Sequence, residues 1–459
     1  MRKALPLLCV LGIACEPMPY QSPNAKTEPS PPRSAFVHLL VGSSPAPKVE
    51  LSISNQLRSV VDKRQVSARL ELTAGDYPLR LSGSGNELYA SGLKLLAGSE
   101  TLLLAFRAPP VDDEDSGQRL TAYPLGRRDP KLARLRFIHG SLDAPPLGLA
   151  GPSGQLLLDG VASGAVSAYA ELSSALPIAG SLQLRLPGEP RALLDLSIPD
   201  GLALGSASTL VTVGEVAPLA AAEDAFGVVA FDEESGTVRD LPVRPAAGAP
   251  DGQIYLFHAA EGVDPVTAKT AHGLLWGSIG YQHGTPLSSL PAGPESLSLD
   301  LRTGSLWRGV LRLWPGQKWL LLLYGNATQP RLLALPRPVQ APQTVWRVVN
   351  LVDGLLQIDL LDGDDEVVSK LGYGAGTSPQ LGELKRRALR LRDVGPSSQS
   401  WDIDFDQPAV EAARDQVVTL VLTGSASKKS SVSAQLLIES RAGSTMAIPT
   451  RTLPTTPSL

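Results

Sequence analysis

Hydrophobic and polar residues alternate with a period of two in four separated stretches: DYPLRLS (76–82), SLQLRLP (181–187), SLSLDLR (296–302) and ALRLRD (388–393). This turns leucines to one side and Arg, Gln, Ser or Asp to the other, and predicts a half-buried strand at each. Gly75, Gly180 and Gly293 stand just ahead of the first three. Each stretch is followed by an almost wholly apolar run: TLLLAF (101–106), TLVTVG (209–214), WLLLLYG (319–325) and VVTLVLTG (417–424). These runs are too short and too punctuated for helices, and they predict strands covered on both faces. About 40 residues before each alternating stretch lies a third marker. Phe36-Val37-His38, Phe137-Ile138-His139 and Leu256-Phe257-His258 share one shape, and Trp346 to Asn350 repeats it with asparagine in place of histidine.

The repetition predicts an all-β chain of tandem immunoglobulin-like antiparallel β-sandwich domains joined by Pro/Ala-rich linkers. The expected sandwiches are 35–107, 132–214, 252–325 and 344–440. Connectors fall at 108–131, 215–251 and 326–343, and a loose tail at 441–459. Glycine (43) and proline (40) are abundant among the 459 residues, as many short strands and turns require. The net charge of −4 leaves no basic footprint, which argues against a nucleic-acid partner.

The N-terminus changes the picture of address. Met1-Arg2-Lys3 is a positive start, Ala4–Ala14 is apolar, and Ala14 precedes Cys15, so 1–14 reads as a signal peptide. The only other cysteine is Cys9, inside that segment, so the mature chain would carry Cys15 alone. A terminal thiol of this kind predicts lipidation at Cys15, although Gly12 stands where an aliphatic residue is usual. Removal of Arg2 and Lys3 would take the charge to −6. Residues 15–34, with proline every few positions, read as an extended tether. The expected location is the cell envelope, as an outer-membrane lipoprotein of a Gram-negative bacterium, with the lipid as the membrane partner.

Counting by twos places His139 with Phe137 and Leu135, His258 with Leu256, Asn350 with Val348, and His38 with Phe36, all on the expected inward face. A polar group there needs a hydrogen bond, and asparagine donates and accepts as neutral imidazole does. These four residues are therefore expected to be structural, bonded to the turn that follows. Metal binding would need several ligands in one unit. Only the third offers them (His258, His272, His283), and no metal is expected. The acidic clusters VDDEDSG (111–117) and DLLDGDDEV (359–367) read as solvated turns before calcium loops. No HExxH, GxSxG or GxGxxG motif occurs, so neither catalytic residues nor a cofactor are predicted. Trp276, Trp307 and Trp314 fall near expected turns, where an exposed indole stacks on a sugar or anchors a partner.

The stretch LRFIHGSLDAPPLGL (135–149) resembles the opening motif of an exported bacterial family, domain of unknown function 4397. Ile138, His139, Ser141, Asp143, Ala144 and Pro145 match that motif, while Gly140 and Leu142 depart from it. VHLLVGSSPAP (37–47) and FHAAEGVDPV (257–266) keep parts of it. The resemblance implies exported β-sandwich modules, often in tandem on lipoproteins, and no catalytic residues. The functional expectation is a non-enzymatic envelope lipoprotein with a structural, adhesive or scaffolding role. The alternative is a carbohydrate- or polymer-binding array using the three tryptophans, so an envelope protein or polysaccharide is the expected partner.

Overall fold

The computed structural model describes residues 34–107, 117–126, 129–141, 143–175, 180–337, 343–381, 388–395, 399–404, 416–428, 431–439, 445–449 and 451–454. Residues 1–33, which hold the expected signal segment, Cys15 and all but the last residue of the expected tether, lie outside these, as does nearly all of VDDEDSG. The fold is all-β. The first sandwich contains β1 (Ser34–Val41), β2 (Lys48–Ile53), β3 (Gln56–Asp62), β4 (Leu70–Thr73), β5 (Gly75–Gly83), β6 (Asn86–Leu95), β7 (Glu100–Arg107) and β8 (Gln118–Pro124). They form two sheets, β4-β1-β7-β8 and β3-β2-β5-β6. Between the sheets pack Val37, Leu39, Leu51, Ile53, Leu81 and Leu103. Pairing is antiparallel except that β1 runs parallel to β7. The β2–β3 hairpin turns through Ser54 and Asn55, both at positive φ (52° and 61°), which sets the twist a two-residue connection needs.

The same order recurs three more times. The counterparts of β1 are Ala133–His139, Gly252–His258 and Val345–Asn350, and those of β7 are Ala207–Val213, Lys318–Gly325 and Val417–Thr423. Each such pair is parallel. The second and fourth sandwiches each gain two strands, one per sheet: Thr237–Leu241 with Val243–Pro245, and Thr445–Pro449 with Arg451–Pro454. Among the described residues the first and third lack them. The chain is therefore a duplication of a two-sandwich unit.

Five strands lie where the sequence pattern reads connectors: β8, its counterparts Gly227–Asp232 and Pro330–Pro336, and the added pair Thr237–Leu241 and Val243–Pro245. β8 and its two counterparts extend the sheet that carries β1 and β7 or their counterparts, β8 and Pro330–Pro336 as edges and Gly227–Asp232 with Thr237–Leu241 outside it. Two further strands, Thr445–Pro449 and Arg451–Pro454, occupy the stretch read as a loose tail. Between the last strand of one sandwich and the first of the next stand only residues 125–132, 246–251 and 337–344 of the sequence.

Short links force contact. Leu40, Leu102, Leu104 and Phe106 project from the outer face of the first sandwich onto Ile138, Val211, Val229 and Phe231 of the second. The third and fourth meet in the same way, through Phe257, Leu320, Leu322 and Tyr324 against Val349, Val421 and Leu437. Strand pairing puts these residues at equivalent positions: Leu40 with Phe257, Leu104 with Leu322, Phe231 with Leu437. The central strands are thus apolar throughout because one face meets its own core and the other meets a neighbour's sheet.

Candidate functional site

The recurring polar residue closes the first strand of three sandwiches. His139 is fully buried. Its Nε2 bonds the carbonyl of Pro145 at 2.9 Å and its Nδ1 the Thr212 hydroxyl at 3.3 Å. His258 is also fully buried, and its Nδ1 accepts the Ala260 amide at 3.3 Å. Its Nε2 faces the backbone of Asp264, six residues on as Pro145 is from His139, without closing to full hydrogen-bond geometry. Asn350 reproduces both contacts. Oδ1 accepts the Val352 amide, and Nδ2 donates to the carbonyls of Leu355 and Leu371, all at 3.2 Å. Each side chain pins the turn after its strand.

His38 departs from this scheme. The core of the first sandwich takes Ala35, Val37, Leu39 and Val41, so His38 points outward. It lies 5.3 Å from the ring of Phe231 in the next sandwich and 3.1 Å from Glu100. Isolated bridges align Leu40 with Ile138 and Phe257, which makes Val41 the counterpart of His139 and His258. Valine fills the position by apolar packing. His38 instead belongs to the junction between sandwiches.

Burial holds the imidazoles of His139 and His258 below the ordinary histidine range, against the backbone carbonyls that favour the charged form. A group with a depressed folded pKa contributes stability above its unfolded value, near 6.5, and loses it as pH falls through the folded value. His139→Asn, copying Asn350, is expected to stay folded at pH 7 and to remove part of the acid sensitivity of the second sandwich. One imidazole that must take up a proton costs at most about 1.4 kcal/mol per pH unit. Thermal unfolding of parent and variant between pH 7.5 and 5 checks this, and equal acid slopes would contradict it.

Three residues before this position stand two arginines that the pattern does not single out. Arg136 is 4% exposed and donates from Nε to Thr209 Oγ1 (2.8 Å) and from Nη1 to the carbonyl of Pro124, the last residue of β8 (2.8 Å). Arg347 is 2% exposed and repeats both bonds, to Thr419 (2.9 Å) and to Pro336 (2.6 Å). Glu233 lies 3.5 Å from Arg136, accepts the Thr209 hydroxyl at 2.5 Å, and receives the Tyr169 hydroxyl at 2.9 Å. Burial drives the Tyr169 phenol up to about 12, with Glu233 adding to the rise and Arg136 opposing it. The signal available in the sequence was the shared arginine of RLRFIH and VWRVVN.

Asp143 of the motif caps a long loop. It accepts the amides of Val216 (2.7 Å) and Ala217 (3.2 Å) and the hydroxyl of Ser141 (2.9 Å), while burial pushes its carboxyl up. The loop 214–226 then meets three sandwiches. Lys63 of the first pairs with Asp224 at 2.6 Å, and Arg64 bonds the carbonyl of Ala225. Arg312 of the third donates its amide to Pro218 (2.8 Å) and its guanidinium to Ala220 (2.9 Å).

The tryptophans do not form an exposed platform. Trp276 is 6% exposed and donates its indole N–H to Ser288 at 2.9 Å. Trp314 is 5% exposed and stacks edge-on to Phe226 at 4.5 Å. Trp307 is half-buried against the shared core of the second and third sandwiches. Trp276 and Trp314 are spent on packing, and Trp307 keeps part of its ring in solvent. His272 is exposed beside Glu295 (3.3 Å), and His283 bonds the carbonyl of Tyr281 (2.8 Å), so neither ring is turned to a common centre with His258. Among the described residues no three His, Cys, Asp or Glu side chains gather as metal ligands. In DLLDGDDEV, Asp362 and Asp365 face each other across a hairpin turn, and Asp359 accepts from the Lys370 amide and from Arg392.

No protein-family model matches the chain, and no curated protein matches it.

Proposed function

We propose that the chain is a non-enzymatic envelope lipoprotein. Its four sandwiches act as one stiff structural or scaffolding body, held off the membrane by the proline-rich tether and anchored through Cys15. The observation that carries this reading is the use of the outer sheet faces. In both halves of the duplication, the face that a free-standing sandwich would leave to solvent is packed against its neighbour. Covering those faces restricts hinge motion between sandwiches, and stiffness is what a scaffold requires. The resemblance to exported sandwich modules and the signal-like start agree with the same address. His139, His258 and Asn350 agree with it too, because each bonds its own turn.

Cys15→Ser is expected to move the protein from the membrane fraction to the soluble exported fraction without changing its melting profile. Fractionation of cells producing each form tests this. Unchanged membrane association of the variant would contradict the anchor.

A further inference from the structure

The second and third sandwiches meet differently from the other pairs. The third rests on the second through one corner, where Trp314 is 5% exposed and edge-on to Phe226, and Pro315 is buried. Beside it, a side chain added at Gly293 would meet Pro245 at 3.4 Å. Leu194 and Val216 line the same junction. The duplication gives these residues counterparts in the first and fourth sandwiches. Gly75 pairs with Leu95 as Gly293 pairs with Leu313, so Leu96 stands in the place of Trp314 and Ala97 in that of Pro315. Leu194 pairs with Pro245, and Trp401 pairs with Pro454. Val213 pairs with Gly227 as Thr423 pairs with Ser433, which aligns Val216 with Ala426. The counterparts differ in cover. Leu96 is 65% exposed and Ala97 is exposed, and the nearest atoms to a side chain added at Gly75 belong to Tyr77 of the same sandwich. Ala426 is half-buried where Val216 is 3% exposed. The first sandwich thus carries open the corner that the third uses for docking, and the fourth repeats the surface that receives it.

We propose that the first sandwich of one chain docks on the fourth sandwich of a second copy, as the third docks on the second within the chain. Leu96 takes the place of Trp314, and Gly75 comes against the strand that ends at Pro454. The two surfaces are different patches, so each copy can give one and receive one, and association runs head to tail. Lys94 stands in place of Arg312, and the loop 424–432 is shorter than 214–226, which holds the Pro218 and Ala220 carbonyls that Arg312 bonds. The contact between copies is therefore weaker than its internal counterpart. This goes beyond the scaffold reading and does not depend on the lipid anchor, since both surfaces belong to the folded body.

Analytical ultracentrifugation of the mature chain carrying Cys15→Ser, from micromolar to millimolar concentration, tests this. The mean mass is expected to rise with concentration above that of one chain. Leu96→Glu in the same background spoils the docking corner, and Ala426→Glu the receiving surface, so each variant alone is expected to stay monomeric. Their mixture is expected to form dimers and nothing larger, because the intact corner of one meets the intact surface of the other. Leu96→Trp, copying Trp314, is expected to tighten self-association about tenfold through the larger apolar area buried. Melting profiles matching the parent establish that each variant is folded. A parent that stays monomeric at millimolar concentration would overturn the proposal and assign the open corner to another occupant. So would self-association that persists in either glutamate variant alone, or a mixture of the two that fails to dimerise.

Discussion

Arg136→Ala is expected to lower the stability of the second sandwich by about 3–5 kcal/mol, the cost of removing one member of a buried ion pair. Glu233 is 5% exposed and also accepts the hydroxyls of Thr209 and Tyr169. The change also removes the bond to Pro124, the one by which Arg136 holds the end of the first sandwich. Replacing both charges, as Arg136→Met with Glu233→Leu, is expected to recover most of the loss, because an apolar pair of similar volume carries no desolvation cost. Urea unfolding of parent, single and double variants checks this. A loss under about 1 kcal/mol for the single variant would place the pair in water instead of at a buried junction.

Phe231→Ala is expected to cost about 3–5 kcal/mol through lost burial and the cavity left behind. The residue is fully buried, yet it contributes nothing to the interior of its own sandwich. Its ring lies among Leu40, Leu102 and Leu104 of the first sandwich and edge-on to His38. The loss therefore falls on the coupling between two sandwiches. Its counterpart Leu437 does the same work between the third and fourth.

The strands were legible because a period of two and short apolar runs are local signals. DYPLRLS and TLLLAF became β5 and β7 with little shift in bounds. The runs also announced coverage on both faces, but periodicity cannot name what covers the second face, and the neighbouring sandwich was invisible in it. Edge strands were harder. QRLTAYP and PRLLALP end in proline and alternate poorly, since each lies at or near a sheet edge with one flank free of pairing. The marker histidine faces its own core in two units and the neighbouring sandwich in one. FVH and FIH match as letters, yet Gly42-Ser43 aligns with Gly140-Ser141 and sets Val41, three positions later, opposite His139. A one-position error in parity reverses the face of a strand, so His38 moved from the core to the junction. Arg136 and Arg347 went unread because an arginine inside an apolar strand gains its meaning from the partner sandwich.

Hydrogen exchange in the Phe231→Ala chain, read by mass spectrometry on peptides from both sandwiches, most directly separates a fused body from beads on a string. Packing of sheet on sheet predicts that protection falls at Gly227–Asp232 and, across the boundary, at Glu100–Arg107. Loss confined to 133–245, with Glu100–Arg107 as protected as in the parent, would mean that the two sandwiches stand independently.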